Sequence, residues 1–124
     1  MAPRIFLVED NPAALQGMSD LLTDSGYEVT PIGGFMEAKR LLDQEVPDLL
    51  IVDIRLGDYN GLHLVVRQHL AHPNCRIIVT TGFPDPVLEG EARGYGAVYV
   101  EKPVRGDDLL RLIKRLLTES PALA

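Results

Sequence analysis

Four apolar runs in this chain stop on residues that can do chemistry. Ile5 to Val8 ends at Glu9-Asp10, Leu49 to Val52 ends at Asp53, Ile77 to Val79 ends at Thr80-Thr81, and Val98 to Val100 leads into Lys102-Pro103. Set side by side as strands of one parallel sheet, these runs would bring three carboxylates, a hydroxyl and an ammonium to its carboxyl edge, where open α/β folds place their ligands. Carboxylates gathered there repel one another by ~4 kcal/mol per pair at about 4 Å and an effective dielectric near 20. Folding alone gives no reason to collect them. Mg2+ does, because it prefers hard oxygens and binds through one or two carboxylates plus a phosphate. In that reading Glu9, Asp10 and Asp53 hold the ion, and the backbone carbonyl of Arg55 is a further ligand. A carboxylate such as Asp53 can also attack phosphorus and form an aspartyl phosphate if charge on the equatorial oxygens is neutralised. The ion takes one oxygen, the Lys102 ammonium a second, and the Thr80 hydroxyl or a backbone amide the third. The bland alternatives are Asp10 as a helix cap, Asp53 as a turn residue and Lys102 as a solvated charge. Their coincidence at successive strand ends argues against all three.

The elements that must position these groups alternate between short apolar runs and segments of helical period, the pattern of βαβ units around a parallel sheet. The runs predict strands over Arg4 to Val8, Tyr27 to Pro31, Asp48 to Asp53, Arg76 to Thr80 and Ala97 to Glu101. The third and fourth lack polar alternation, as suits central strands covered on both faces. The first helix starts at Asn11-Pro12, with Asn11 as cap and Pro12 preset for the first turn, presents Ala14, Met18, Leu21, Leu22 and Ser25, and stops at Gly26. A second helix runs from about Phe35 to Gln44 with Ala38, Leu41 and Leu42 inward. A third, Leu62 to Ala71, offers Leu62, Val65, Val66 and Leu70. The fourth is undercut by Phe83-Pro84-Asp85-Pro86 at its start and by Gly90, Gly94 and Gly96, so it is expected short, late or mobile. The last carries Asp107 and Asp108 at its N-terminus, then Leu109, Leu112, Ile113, Leu116 and Leu117 at helical spacing. It fades by Ser120-Pro121. Leu110 lies off that stripe and is free for a partner contact.

One domain over residues 1–119 with a tail or linker stub over 120–124 accounts for 124 residues, of which 46% are hydrophobic. Any further segment is expected to follow Ala124. The net charge of −6 argues against nucleic acid as a ligand of this domain, because phosphate neutralisation needs clustered Lys and Arg. Cys75 is alone and reads as a small apolar filler. No apolar stretch nears the ~20 residues of a membrane span, and the opening residues lack a secretory signal's apolar region and cleavage site. A cytoplasmic protein is expected. His63, His69 and His72 do not have metal-site spacing and are assigned to solvent.

Taken together, Leu7-Val8-Glu9-Asp10-Asn11-Pro12, Pro47 to Asp53, Gly61, Ile77 to Gly82 and Tyr99-Val100-Glu101-Lys102-Pro103 resemble the receiver domain of two-component response regulators, from about Arg4 to Leu117. The resemblance implies a flavodoxin-like (βα)5 doubly wound parallel sheet in strand order 2-1-3-4-5. It implies that Asp53 is the phosphoacceptor, that Glu9 and Asp10 are the acidic pair holding Mg2+, and that Lys102 pairs with the phosphate. It also implies Thr80 as a switch hydroxyl, Tyr99 as a switch aromatic, and a cis peptide at Lys102-Pro103. The implied donor is a histidine kinase or a histidine phosphotransfer protein, with the receiver catalysing transfer to itself and no other turnover. The implied output surface, and the route to a homodimer, is the fourth helix, fifth strand and fifth helix.

Departures from the family pattern carry their own expectations. Gly57 replaces a usual proline, which predicts a looser loop after Asp53. Arg55 could reach over the phosphoryl group, and the bulk of Thr81 could narrow the approach of water, so both are expected to alter the acyl phosphate's lifetime. A flavin carrier is disfavoured because Glu9-Asp10 would repel a flavin phosphate, and a dinucleotide enzyme because Gly-x-Gly-x-x-Gly is absent. A phosphatase with an aspartyl nucleophile would want a second Asp where Arg55 stands. The remaining alternative is a receiver-fold protein-binding module with vestigial phosphorylation.

Overall fold

The computed structural model describes residues 2–118. In chain order the elements are β1 (Arg4–Val8), α1 (Pro12–Asp24), β2 (Glu28–Ile32), α2 (Phe35–Leu42), β3 (Leu49–Asp53), β4 (Arg55–Leu56), β5 (Tyr59–Asn60), α3 (Leu62–Ala71), β6 (Arg76–Thr81), α4 (Pro86–Gly94), β7 (Val98–Glu101) and α5 (Gly106–Thr118). Five strands form one parallel sheet in the order β2-β1-β3-β6-β7. Counted among the strands of that sheet alone, this is the expected 2-1-3-4-5.

Alternation along each strand divides the core into two layers, since successive side chains of a strand point to opposite faces. Phe6, Val8, Leu50, Val52, Ile77 and Val79 pack with residues of α2, α3 and α4. Ile5, Leu7, Leu49, Ile51 and Ile78 pack instead with Leu22 of α1 and Leu109, Ile113 and Leu116 of α5. All five residues of β3 are buried, and each large aliphatic side chain so buried contributes roughly 1.5–3 kcal/mol. The strand that carries Asp53 is thereby held firmly at the centre of the sheet.

The start of α1 follows its sequence signal. The Asn11 side chain accepts from the Ala14 amide at 3.0 Å with Pro12 in the first turn of α1. Asp85 does the same for α4, accepting from the amides of Val87 and Leu88 at 2.9 and 3.3 Å, again with proline in the first turn. α4 is short, as expected, at nine residues against 13 for α1 and α5, and Ala92 is its buried residue.

Several expectations are corrected. β2 begins one residue late, at Glu28, and Asp48 and Ala97 lie just outside their strands, while Thr81 is inside β6. On α3 the inward stripe is Leu62, Leu64, Val65 and Gln68, whereas Leu70 is 73% exposed. Hydropathy alone selects Leu70; the rotation of the helix is set by its packing between α2 and α4. The stretch after Asp53 is a hairpin rather than a loose loop, with Arg55 opposite Asn60 and Leu56 opposite Tyr59. Gly57 at its tip has φ 60°, the conformation a two-residue turn with glycine first demands. His69 stands edge-on to Tyr95 at 5.8 Å and His63 edge-on to Phe35 at 6.4 Å. Leu110 is half-buried against the α1 and α5 layer. Burial pushes the Cys75 thiol up to about 11, in keeping with an inert filler. The expected fading at Ser120-Pro121 and the tail over 120–124 lie outside the described residues.

Candidate functional site

Three of the four runs that end in reactive groups stop at one rim of the sheet, and the fourth meets them there. Strand β1 delivers Glu9 and Asp10, β3 delivers Asp53, and β6 places Thr80 in register with Asp53. Lys102, just past β7, reaches back across the edge. Its ammonium donates to Asp53 Oδ2 at 2.6 Å and to Glu9 Oε2 at 2.7 Å. The Lys102-Pro103 peptide is cis. Both carboxylates are nearly buried, each 5% exposed, so the ion pairs act in a medium less polar than bulk water.

Three further carboxylate oxygens are tied by backbone amides. Asn11 N–H donates to Glu9 Oε1 at 3.2 Å, Arg55 N–H to Asp53 Oδ1 at 3.3 Å and Gly57 N–H to Asp10 Oδ2 at 2.9 Å. The last bond explains why a glycine, and not a proline, suits position 57: proline has no N–H to donate. One oxygen each from Glu9, Asp10 and Asp53 lie within 4.8 Å of one another. Burial pushes the Glu9 carboxyl above its ordinary value, the Lys102 bond opposing and Asp53 adding to the rise. Burial also works against the charge on Lys102, but its two carboxylate partners outweigh that and hold it above its ordinary value. Three hard oxygens converging at one rim form a donor set that fits a small divalent cation.

The groups face a cavity of about 540 Å³ lined by Glu9, Asp10, Asp53, Arg55, Phe83 and Lys102, among others. Thr80 is buried and is not in that wall. Thr81, expected to narrow the approach by bulk, is buried too; its hydroxyl accepts from the Phe83 amide and donates to the Phe83 carbonyl, both at 3.1 Å. It bears on the cavity through the placing of Phe83. Tyr99 is half-buried, and its hydroxyl accepts from the Asp85 amide at 3.2 Å. Arg55 stacks on Phe83, its guanidinium carbon 4.1 Å from the ring centre.

Two contributors carry little or no signal in the sequence. Phe83 reads there only as a delay to α4, because an aromatic in a loop carries no local sign of what it will face. Gly61 reads as part of a motif without a reason. The reason is steric: a Cβ there would stand 2.1 Å from the Asp53 carbonyl oxygen and 3.0 Å from Val52 Cγ2. Its amide also donates to the Ile54 carbonyl at 2.6 Å. The start of α3 is thus pressed directly onto the strand end that bears Asp53.

Comparison with known proteins agrees with this geometry. Residues 5–114 match the family model described as "Response regulator receiver domain". The alginate biosynthesis transcriptional regulatory protein AlgB of Pseudomonas aeruginosa is 35% identical over 107 residues, which are 86% of this chain and 24% of AlgB. The chain therefore spans about a quarter of that relative. Among solved structures, a CheY-like receiver domain protein from Methanospirillum hungatei superposes with a TM-score of 0.90 at 31% identity, over 94% of each chain. A response regulator protein from Burkholderia pseudomallei, described with a phosphorylated aspartic acid, a calcium ion and citrate, superposes at 0.81 and 28% identity, over 87% of this chain and 64% of its own.

Proposed function

Because the chain belongs to the response regulator receiver family, we propose that it is a signalling receiver that accepts a phosphoryl group on Asp53, with a histidine kinase or histidine phosphotransfer protein as donor. The observation that carries this reading is the joint grip of one ammonium on Asp53 and Glu9 beside a third carboxylate, Asp10. In the reaction, a carboxylate oxygen of Asp53 attacks phosphorus, the bond from phosphorus to the donor's imidazole nitrogen breaks, and the nitrogen keeps the electron pair. Lys102, already 2.6 Å from Asp53, moves with the charge onto a phosphoryl oxygen. Glu9, Asp10, Asp53 and the Arg55 backbone carbonyl would hold Mg2+, which when bound neutralises charge on the phosphoryl group. The chain catalyses this transfer to itself and turns over no other substrate.

Thr80, in register with Asp53, is the hydroxyl that would follow the phosphoryl group, with Tyr99 turning into the space it leaves. Tyr99 then gives up its bond from the Asp85 amide, at a cost of about 1 kcal/mol. That bond links the switch to the cap of α4. The output surface and the route to a homodimer are α4, β7 and α5, where Val87 is exposed. Among the described residues no helix is long and apolar enough to cross a membrane, and we assign the protein to the cytoplasm. Residues 1–119 are proposed as the domain.

A Mg2+ titration followed by thermal unfolding tests the metal assignment. Mass action predicts a rise of a few degrees at saturating Mg2+, strongly reduced in Asp10→Asn; equal shifts in both proteins would remove the assignment. Arg55 and Thr81 are proposed to set access of water to the acyl phosphate, Arg55 by covering it and Thr81 by placing Phe83. Dephosphorylation is expected to quicken severalfold in Arg55→Ala and less in Thr81→Ala, and unchanged rates in both would exclude that role.

A further inference from the structure

We propose that Arg55 is a binding residue for the phosphoryl group on Asp53, and that the Phe83 ring holds its guanidinium in reserve until that group arrives. The inference rests on phosphorylation of Asp53 as proposed above. The guanidinium carbon lies 4.1 Å from the ring centre, and both side chains line the cavity that contains the three carboxylates and Lys102. The Arg55 amide reaches the Asp53 carboxylate at 3.3 Å. Yet among the described residues its guanidinium forms no ion pair with Glu9, Asp10 or Asp53; the ammonium of Lys102 pairs with Glu9 and Asp53.

Charge balance in the metal-loaded site says when Arg55 would be called on. Glu9, Asp10 and Asp53 bring three negative charges to the rim; Lys102 and a divalent cation bring three positive ones. With that cation bound the rim would be neutral and have no need of another. Phosphorylating Asp53 exchanges its single charge for an acyl phosphate with close to two at neutral pH, which leaves one negative charge unmatched. Arg55 is already in the cavity wall, and its guanidinium can make paired, charge-assisted hydrogen bonds to phosphoryl oxygens. Such bonds outcompete an exposed cation–π contact, so Arg55 leaves the ring. Phe83, 63% exposed and three residues ahead of α4, is then uncovered at the entry to that helix.

Competition for one guanidinium makes the two residues act with opposite sign. Beryllium fluoride at saturating Mg2+ serves as the phosphoryl mimic, with its Kd read by calorimetry and each fold checked by melting without Mg2+. Arg55→Ala is expected to weaken binding at least about tenfold. Phe83→Leu is expected to tighten it by about two- to fivefold, the loss of a competing exposed cation–π contact at ~1.4 kcal/mol per factor of ten. Phe83→Tyr, which keeps a stacking face, should retain the parent affinity. In an Arg55→Ala background Phe83→Leu should change nothing, since the ring acts only through the guanidinium. Unchanged or weaker binding in Phe83→Leu overturns the proposal, as does an effect of that substitution surviving without Arg55. If the parent itself fails to bind beryllium fluoride, the Asp53 reading falls and takes this inference with it.

Discussion

Asp53→Asn is expected to abolish phosphoryl acceptance while leaving the fold intact. The side chain keeps its shape, but an amide oxygen is a poor nucleophile, so acyl phosphate formed from acetyl phosphate or a phosphohistidine donor should drop by ~10³-fold or more. Stability should move little, within about 1 kcal/mol. Lys102 retains its 2.7 Å bond to Glu9, and the loss of one Lys102 ion pair is offset by relief of repulsion among the carboxylates. The two readouts separate chemistry from architecture: acid-stable, base-labile label on the parent and none on the variant, with melting temperatures that nearly coincide. Equal labelling of the variant would move the acceptor to another side chain and sink the assignment.

Gly61→Ala should have the largest effect on stability. The backbone at Gly61 is helical, with φ −61°, so any residue could adopt it and conformational freedom is not the issue. Contact is. The added methyl would meet the Asp53 carbonyl oxygen at 2.1 Å, and a backbone atom in the middle of the sheet cannot rotate aside as a side chain tip can. The start of α3 and the end of β3 must therefore separate, at a cost of about 3 kcal/mol or more, and Asp53 moves with them. Chemical denaturation should show this loss together with weakened beryllium fluoride binding. Gly17 is the contrasting case: it lies inside α1, and nothing stands within 4 Å of the place an added Cβ would take. Alanine there should gain up to about 1 kcal/mol through helix propensity. Loss at Gly17 similar to that at Gly61 would discredit the steric account.

How far local pattern reaches is visible in particular residues. Asn11-Pro12 announces its helix start because cap and first turn are neighbours in the chain, whereas Asp85-Pro86, read only as an obstacle to α4, turns out to cap it in the same way. The β3 run announces a central strand because burial on both faces leaves it no polar alternation. The β4–β5 hairpin escapes sequence reading because two strands of two residues are too short to show a period. Leu70 is misplaced by it because a stripe on a helix states which residues share a face but not which apolar neighbour the helix will turn toward.

By itself, then, the order of residues determined the parallel α/β plan and which polar groups stand at the ends of its strands, since both are written in runs and run ends within single elements. Folding in three dimensions decided what those groups do to one another. Lys102 meets Glu9 across 93 positions and Asp53 across 49, and Arg55 comes to rest on Phe83. Each of these contacts joins different βα units, whose separation is set by sheet order, crossover and the rotation of packed helices, and no periodicity within one unit encodes that distance.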